Sequence, residues 1–198
     1  MVTKTIITLL LTLTYLTSSA QRDSVKFSND IFSGIYSEVY QQPLTISYDV
    51  VCPYGKASRS GMDFYNNDTI KTSDNEDYKN NVWDKGHIAP AADFNCDLET
   101  LYKTFTYLNC ALQHQNLNRG LWRSLENHER ELAKDNCVSI VVDIVFSPNS
   151  TKLITGALVP DGFIKKIYIN DIIKESYYFP NSPTIKGVGY DYYRVCND

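Results

Sequence analysis

Asp84-Lys85-Gly86-His87, followed by Leu117-Asn118-Arg119-Gly120-Leu121-Trp122-Arg123-Ser124-Leu125-Glu126 and then Arg130, is the part of the chain whose reading decides the fold. In the second stretch Asn118, Trp122, Glu126 and Arg130 recur every fourth residue. Four residues turn an α-helix by about 400°, so each of these side chains drifts only about 40° from the one before. They are expected to share one broad face. Leu117, Leu121, Leu125 and Leu132 lie on the other edge and make a suitable core stripe. The expectation is a helix packed by its leucines that turns an amide, an indole, a carboxylate and a guanidinium toward a cleft. The competing reading is a solvated polar face.

The first stretch supplies a histidine just past an acidic turn. Hydrolysis of a phosphodiester needs a group that takes a proton from water and a hard oxygen that holds a hydrated cation. His87 suits the first task, because a neutral imidazole near pH 7 is a good proton acceptor. Asn118 suits the second, with an N-cap role as its alternative. His114 and His128 lack a comparable setting.

The order Asp-x-Gly-His, Asn109-x-x-x-Gln113, Leu-Asn-x-Gly-x-Trp-x-x-Leu-Glu-x-x-x-Arg resembles the DNA/RNA non-specific endonuclease family, densely from Trp83 to Arg130. The resemblance implies an α+β fold, a central antiparallel sheet carrying a ββα-metal motif. It implies a metal-dependent endonuclease acting on the phosphate backbone of DNA and RNA, with Mg²⁺ as cofactor and Mn²⁺ as the alternative ion. His87 would be the general base and Asn118 the metal ligand. Glu126 would hold the ion's water shell and Asp84 would brace the site. Asn109 and Gln113 would order it, and Arg130 and Arg119 would meet phosphate. Two departures stand out. Lys85 replaces the family's arginine, keeping charge without a bidentate fork. Asp49 stands where an arginine clamp is expected, with Arg59 as the substitute. The alternative function is a non-catalytic nucleic-acid-binding or toxin-like module on the same fold.

The 198 residues suit one domain. Residues 1–20 read as a secretory signal: Lys4, an apolar run from Ile6 to Leu16, and small residues before Gln21. Residues 21–198 then form the endonuclease domain, secreted or, in a bacterium, periplasmic. No second apolar run is long enough to span a membrane, so no membrane partner is expected after cleavage. Oligomeric state is not legible. Removing Lys4 leaves 18 basic residues against 23 acidic ones. That excludes binding of nucleic acid by bulk positive charge and leaves local cations to do it. In a secreted chain, Cys52, Cys96, Cys110, Cys137 and Cys196 are expected to form disulfides, with one left over. Cys96 with Cys110 is the favoured pair, since they bracket Asp97 to Thr106 compactly.

Strands are expected over Gln42–Val51, Ser139–Phe146, Lys152–Leu158, Phe163–Ile169 and Thr184–Val195, by alternation and by runs of Val and Ile. Tyr65 to Asn81 reads as a loop. Asp97 caps a helix reaching Phe105, and Asn116 or Asn118 opens a longer one to about Ala133.

Overall fold

The computed structural model describes residues 21–196. The proposed signal segment lies outside the described residues. Six antiparallel strands form the main sheet: β1 (Val25–Ser28), β2 (Phe32–Ser37), β3 (Gln42–Asp49), β6 (Val138–Val145), β7 (Gly162–Ile169) and β8 (Ile172–Pro180), neighbours in that order. A separate two-stranded unit pairs β4 (Trp83–His87) with β5 (Cys110–His114). Helix α1 (Leu98–Lys103) lies between β4 and β5. After β5 the chain runs through α2 (Gln115–Leu117), a wide helical turn over Asn118–Trp122, and α3 (Arg123–Leu132).

The two-residue period of β6 explains its place at the centre. Val138, Ile140, Val142 and Ile144 all point to the buried face. Ile46 and Tyr48 of β3 and Phe163 and Ile167 of β7 extend that face. Leu117, Trp122 and Leu125 pack onto it, so the helical segment is held by its apolar edge.

Two expected strands fail, and one strand forms where none was expected. Lys152–Leu158 is a hairpin-like loop closed by one bridge between its ends, and Thr184–Val195 carries a 3₁₀ turn at Tyr190–Tyr193. β8, unexpected from its mixed Lys174-Glu175-Ser176 centre, is instead paired along its whole length with β7. Its signal is the Asn170-Asp171 pair, whose φ values of 50° and 65° make a tight two-residue hairpin turn.

The disulfide joins Cys52 to Cys96, with Cα atoms 5.7 Å apart. The favoured Cys96–Cys110 pair is wrong. Cys110 sits in β5 with its thiol buried, donating to the Tyr78 hydroxyl at 3.3 Å. Sequence proximity misled because α1 and its flanks carry the chain from the surface at Cys96 to the interior at Cys110.

Candidate active site

β4 and β5 pair Gly86 with Ala111, and Gln113, the partner of Asp84, sits two register positions from that pair on the same face. A Cβ on Gly86 would come 2.6 Å from the Cβ of Gln113, so the third position of the motif admits only glycine without displacing β5. The following turn is fixed by Asn109, which is fully buried. Its side chain accepts from the Ala89 N–H at 2.7 Å and donates to the carbonyls of Ala89 and Thr104 at 2.9 and 3.0 Å. Asn109, expected to order the site, is enclosed in the protein. It holds the backbone just after His87.

His87 is wedged between Phe64 and Phe105, with ring centroids 4.5 and 4.7 Å away. Its Nε2 is buried without a partner. The residue itself lines the cleft, so Nδ1 is the nitrogen left to face it. Burial, with the positive charge of Arg59 adding to it, pushes the imidazole down to about 3. Both effects favour the neutral ring that a proton acceptor must present.

The cleft measures about 550 Å³. On one wall stand His87 and Lys85 with the 57–59 segment, and on the other the helical residues Asn118, Glu126 and Arg130. Of the nine site residues expected from sequence, it gathers six: Arg59, His87, Asn118, Arg119, Glu126 and Arg130. Asp84 stands behind it, accepting from the Asn118 amide at 2.8 Å and from Arg119 at 2.8 and 2.6 Å. Burial raises the Asp84 carboxyl, but the Arg119 and Asn118 hydrogen bonds outweigh this and hold it below its ordinary value.

Asn118 is no N-cap. His114 caps α2, its Nδ1 accepting from the Asn116 N–H at 3.2 Å, and Asn118 has helical angles. With its amide nitrogen donating to Asp84, the Asn118 carbonyl oxygen is left for the cleft. Among the described residues it accepts no hydrogen bond.

Trp122 departs from the expected polar face. It is fully buried against Phe163 and Phe179, and the Lys165 ammonium lies 4.4 Å from its ring centroid. The reason is the wide turn over Asn118–Trp122, with non-helical angles at Gly120. A turn with five residues in place of four puts Arg123, not Trp122, next after Asn118 on the cleft side, and Glu126, Asn127 and Arg130 follow it on the same face of α3. Sequence reasoning missed Arg123 and Asn127. Gly120 inside a helical pattern was the available signal.

Arg130 donates to Asp93 at 2.6 Å and to Asn127 at 2.5 Å. Asp93 is fully buried, and its removal from water pushes its carboxyl up to about 7, with Glu129 adding and Arg130 opposing. Burial likewise pushes Glu126 up to about 8; Lys165 opposes, and the carboxylates of Glu129 and Asp93 add to it. Lys85 reaches Asp63 at 2.6 Å and lies over the Phe64 and Tyr107 rings. The expected clamp position on β3 is remote: Asp49 accepts from Ser139 there, and Arg59 reaches the cleft from the segment after β3.

The model of the DNA/RNA non-specific endonuclease family matches residues 16–197. The chain belongs to the DNA/RNA non-specific endonuclease family. It is 26% identical to mitochondrial endonuclease G of Bos taurus over 160 residues, 71% of this chain and 54% of that protein. A salivary endonuclease of Lutzomyia longipalpis is 43% identical over 54 residues, 27% of this chain and 13% of that protein. The chain thus spans about half the length, or less, of these relatives. A crystal structure of the EndoG/EndoGI complex shares the fold, with a TM-score of 0.74 at 24% identity over 86% of this chain and 80% of that one. The expected antiparallel α+β fold with a ββα motif is therefore correct: β4 and β5 are the strands, and the segment from α2 to α3 is the helix. The expectation of a secreted or periplasmic protein is overturned. The relative aligned over most of the chain is mitochondrial, whereas the salivary one aligns over a short stretch. Among the described residues no helix is long and apolar enough to cross a membrane.

Proposed function

We propose that this chain is a metal-dependent endonuclease that hydrolyses the phosphodiester backbone of DNA and RNA without reading bases. The observation that carries this reading is the meeting of His87 and Asn118 in one cation-lined cleft. The Nε2 of His87 is closed off and the amide nitrogen of Asn118 is engaged.

His87 takes a proton from water as the water oxygen bonds to phosphorus. The bond from phosphorus to the 3′ oxygen breaks, leaving a 5′ phosphate on one fragment. Arg59, Arg123 and Arg130 supply planar forks for phosphate oxygens. The donors suit a hard cation: the Asn118 amide oxygen and the nearby Glu126 carboxyl are oxygen ligands on one wall, and Mg²⁺ binds to few protein groups while keeping its waters. Asn118 would hold the ion and Glu126 its water shell, with Mn²⁺ the alternative. When bound, such an ion supplies charge neutralisation at the phosphate and at the departing oxygen. Contacts confined to phosphate leave base sequence unread.

Digestion of supercoiled plasmid and of a long RNA, with Mg²⁺ and with chelator, tests the reading. Cleavage of both that stops on chelation is the expected result. Binding of both without cleavage would point instead to a non-catalytic module.

A further inference from the structure

We propose that Tyr54 and Lys134 form a second nucleic-acid subsite beyond the far end of the cleft. There an unpaired base stacks on the Tyr54 ring while Lys134 meets the adjoining phosphate. The proposal rests on the nuclease reading for the direction of the strand.

Tyr54 is 63% exposed, yet it stands on a segment tied on both sides. Pro53 and Tyr54 are the central residues of a turn closed from the Gly55 N–H to the Cys52 carbonyl. Proline at the first central position presets the backbone there. Cys52 is bonded covalently to Cys96, and its N–H donates to Asp93 at 3.0 Å. Two residues past the turn, the Ala57 N–H donates to the Asn95 carbonyl at 2.9 Å. An exposed aromatic held this way has little freedom to lose on binding.

The same segment continues as the cleft wall through Ala57, Ser58 and Arg59. The opposite wall continues too. From the exposed Arg119 and Arg123 the cations pass to the half-buried Arg130 and, just past the end of α3, to Lys134, whose ammonium lies 5.4 Å from the Tyr54 ring centroid. α3 alone, ten residues from Arg123 to Leu132, runs about 15 Å at a helical rise of about 1.5 Å, or about four base steps of duplex at about 3.4 Å each. A row of cations on a chain with an acidic total complements a polyanion in particular. Lys134 pairs now with Glu131, an exposed contact of small worth that a phosphate can replace. An aromatic face beside a lysine along a basic track is the arrangement that holds single strands, since every base offers a π-face.

The test uses the intact, oxidised protein with single-stranded oligonucleotides of 4 and 16 nucleotides and a blunt 16-base-pair duplex. Tyr54→Ala should raise KM on the 16-mer by about 5- to 100-fold. It should leave kcat, the 4-mer and the duplex unchanged. Tyr54→Phe should behave as wild type, and Lys134→Ala should flatten the salt dependence of 16-mer binding by about one charge. Equal losses on both lengths, equal losses on duplex and single strand, a fall in kcat alone, or no change on the 16-mer would each overturn the subsite. If wild type cleaves nothing, anisotropy with a labelled 16-mer decides separately. Weaker binding by Tyr54→Ala supports the subsite without the nuclease reading, and no binding by wild type removes both.

Discussion

Asn118 donates its side-chain amide to Asp84 at 2.8 Å, while Arg119 closes on both oxygens of the same carboxylate. Asp84 thereby decides which end of the amide faces the cleft. Asn118→Ala is expected to cut cleavage sharply and to recover part of it at high Mg²⁺, because the lost group is a cation ligand. Asp84→Ala should weaken apparent Mg²⁺ affinity by about 10- to 100-fold, the usual effect of losing a group that orients a ligand. Titration of cleavage rate against Mg²⁺ measures both. Unchanged Mg²⁺ dependence in Asp84→Ala would show that the amide needs no such orientation.

His87→Ala should lower turnover by about 10²- to 10⁴-fold, and added Mg²⁺ should not restore it. If Mg²⁺ rescues this variant and leaves Asn118→Ala unaffected, the two roles are reversed.

The His87 ring should stay neutral far below the ordinary histidine value of 6.5, because burial and Arg59 depress it to about 3. The folded state then binds this proton less readily than the unfolded chain. Stability from this group is complete above pH 6.5 and is lost as pH falls toward 3, by about 1.4 kcal/mol for each pH unit. An NMR titration of the metal-free protein should show no protonation of His87 between pH 5 and 8. A midpoint near 6.5 would mean that the ring is open to water.

Asp93 fixes Arg130 at 2.6 Å from a fully buried position. If it acts through that guanidinium, Asp93→Ala and Arg130→Ala should each reduce cleavage, and the double variant should be little worse than either alone. Losses that multiply would separate the two residues.

Lys165 and Glu129 pair at 2.8 Å, both fully buried, under Trp122 and Tyr48. Lys165→Met strands a buried carboxylate and should lower unfolding free energy by about 3–5 kcal/mol in chemical denaturation. Adding Glu129→Gln, which still accepts from the Tyr48 hydroxyl, should return most of it. Two additive losses would show that the charges are not coupled.

The motif residues were legible because their chemistry is local. Asp84-Lys85-Gly86-His87 is a short strand end whose glycine answers to one neighbour, and the Asp97 cap of α1 involves only Thr100 three residues on. The strands of the sheet's centre were legible where one face repeats every second residue, as in β6. β8 was not, because its buried Tyr177 and Phe179 follow a polar stretch and gain their place only by pairing with β7.

By itself the sequence carried the motifs that resemble the family, with the antiparallel α+β fold that resemblance implies, and it put forward His87 and Asn118 as candidate site residues. Tertiary structure decided the rest. One wide turn at Gly120 sent Trp122 inward and Arg123 outward, an exchange that a regular four-residue spacing does not encode. Packing chose Cys52 over Cys110 as the partner of Cys96, since a disulfide forms between neighbours in space. It also enclosed Asn109 as a buried brace for the backbone after His87, and gathered Arg59, Asp93 and Arg130 from distant segments about one cleft. Those outcomes depend on which surfaces exclude water together, and that is fixed only when the whole chain folds.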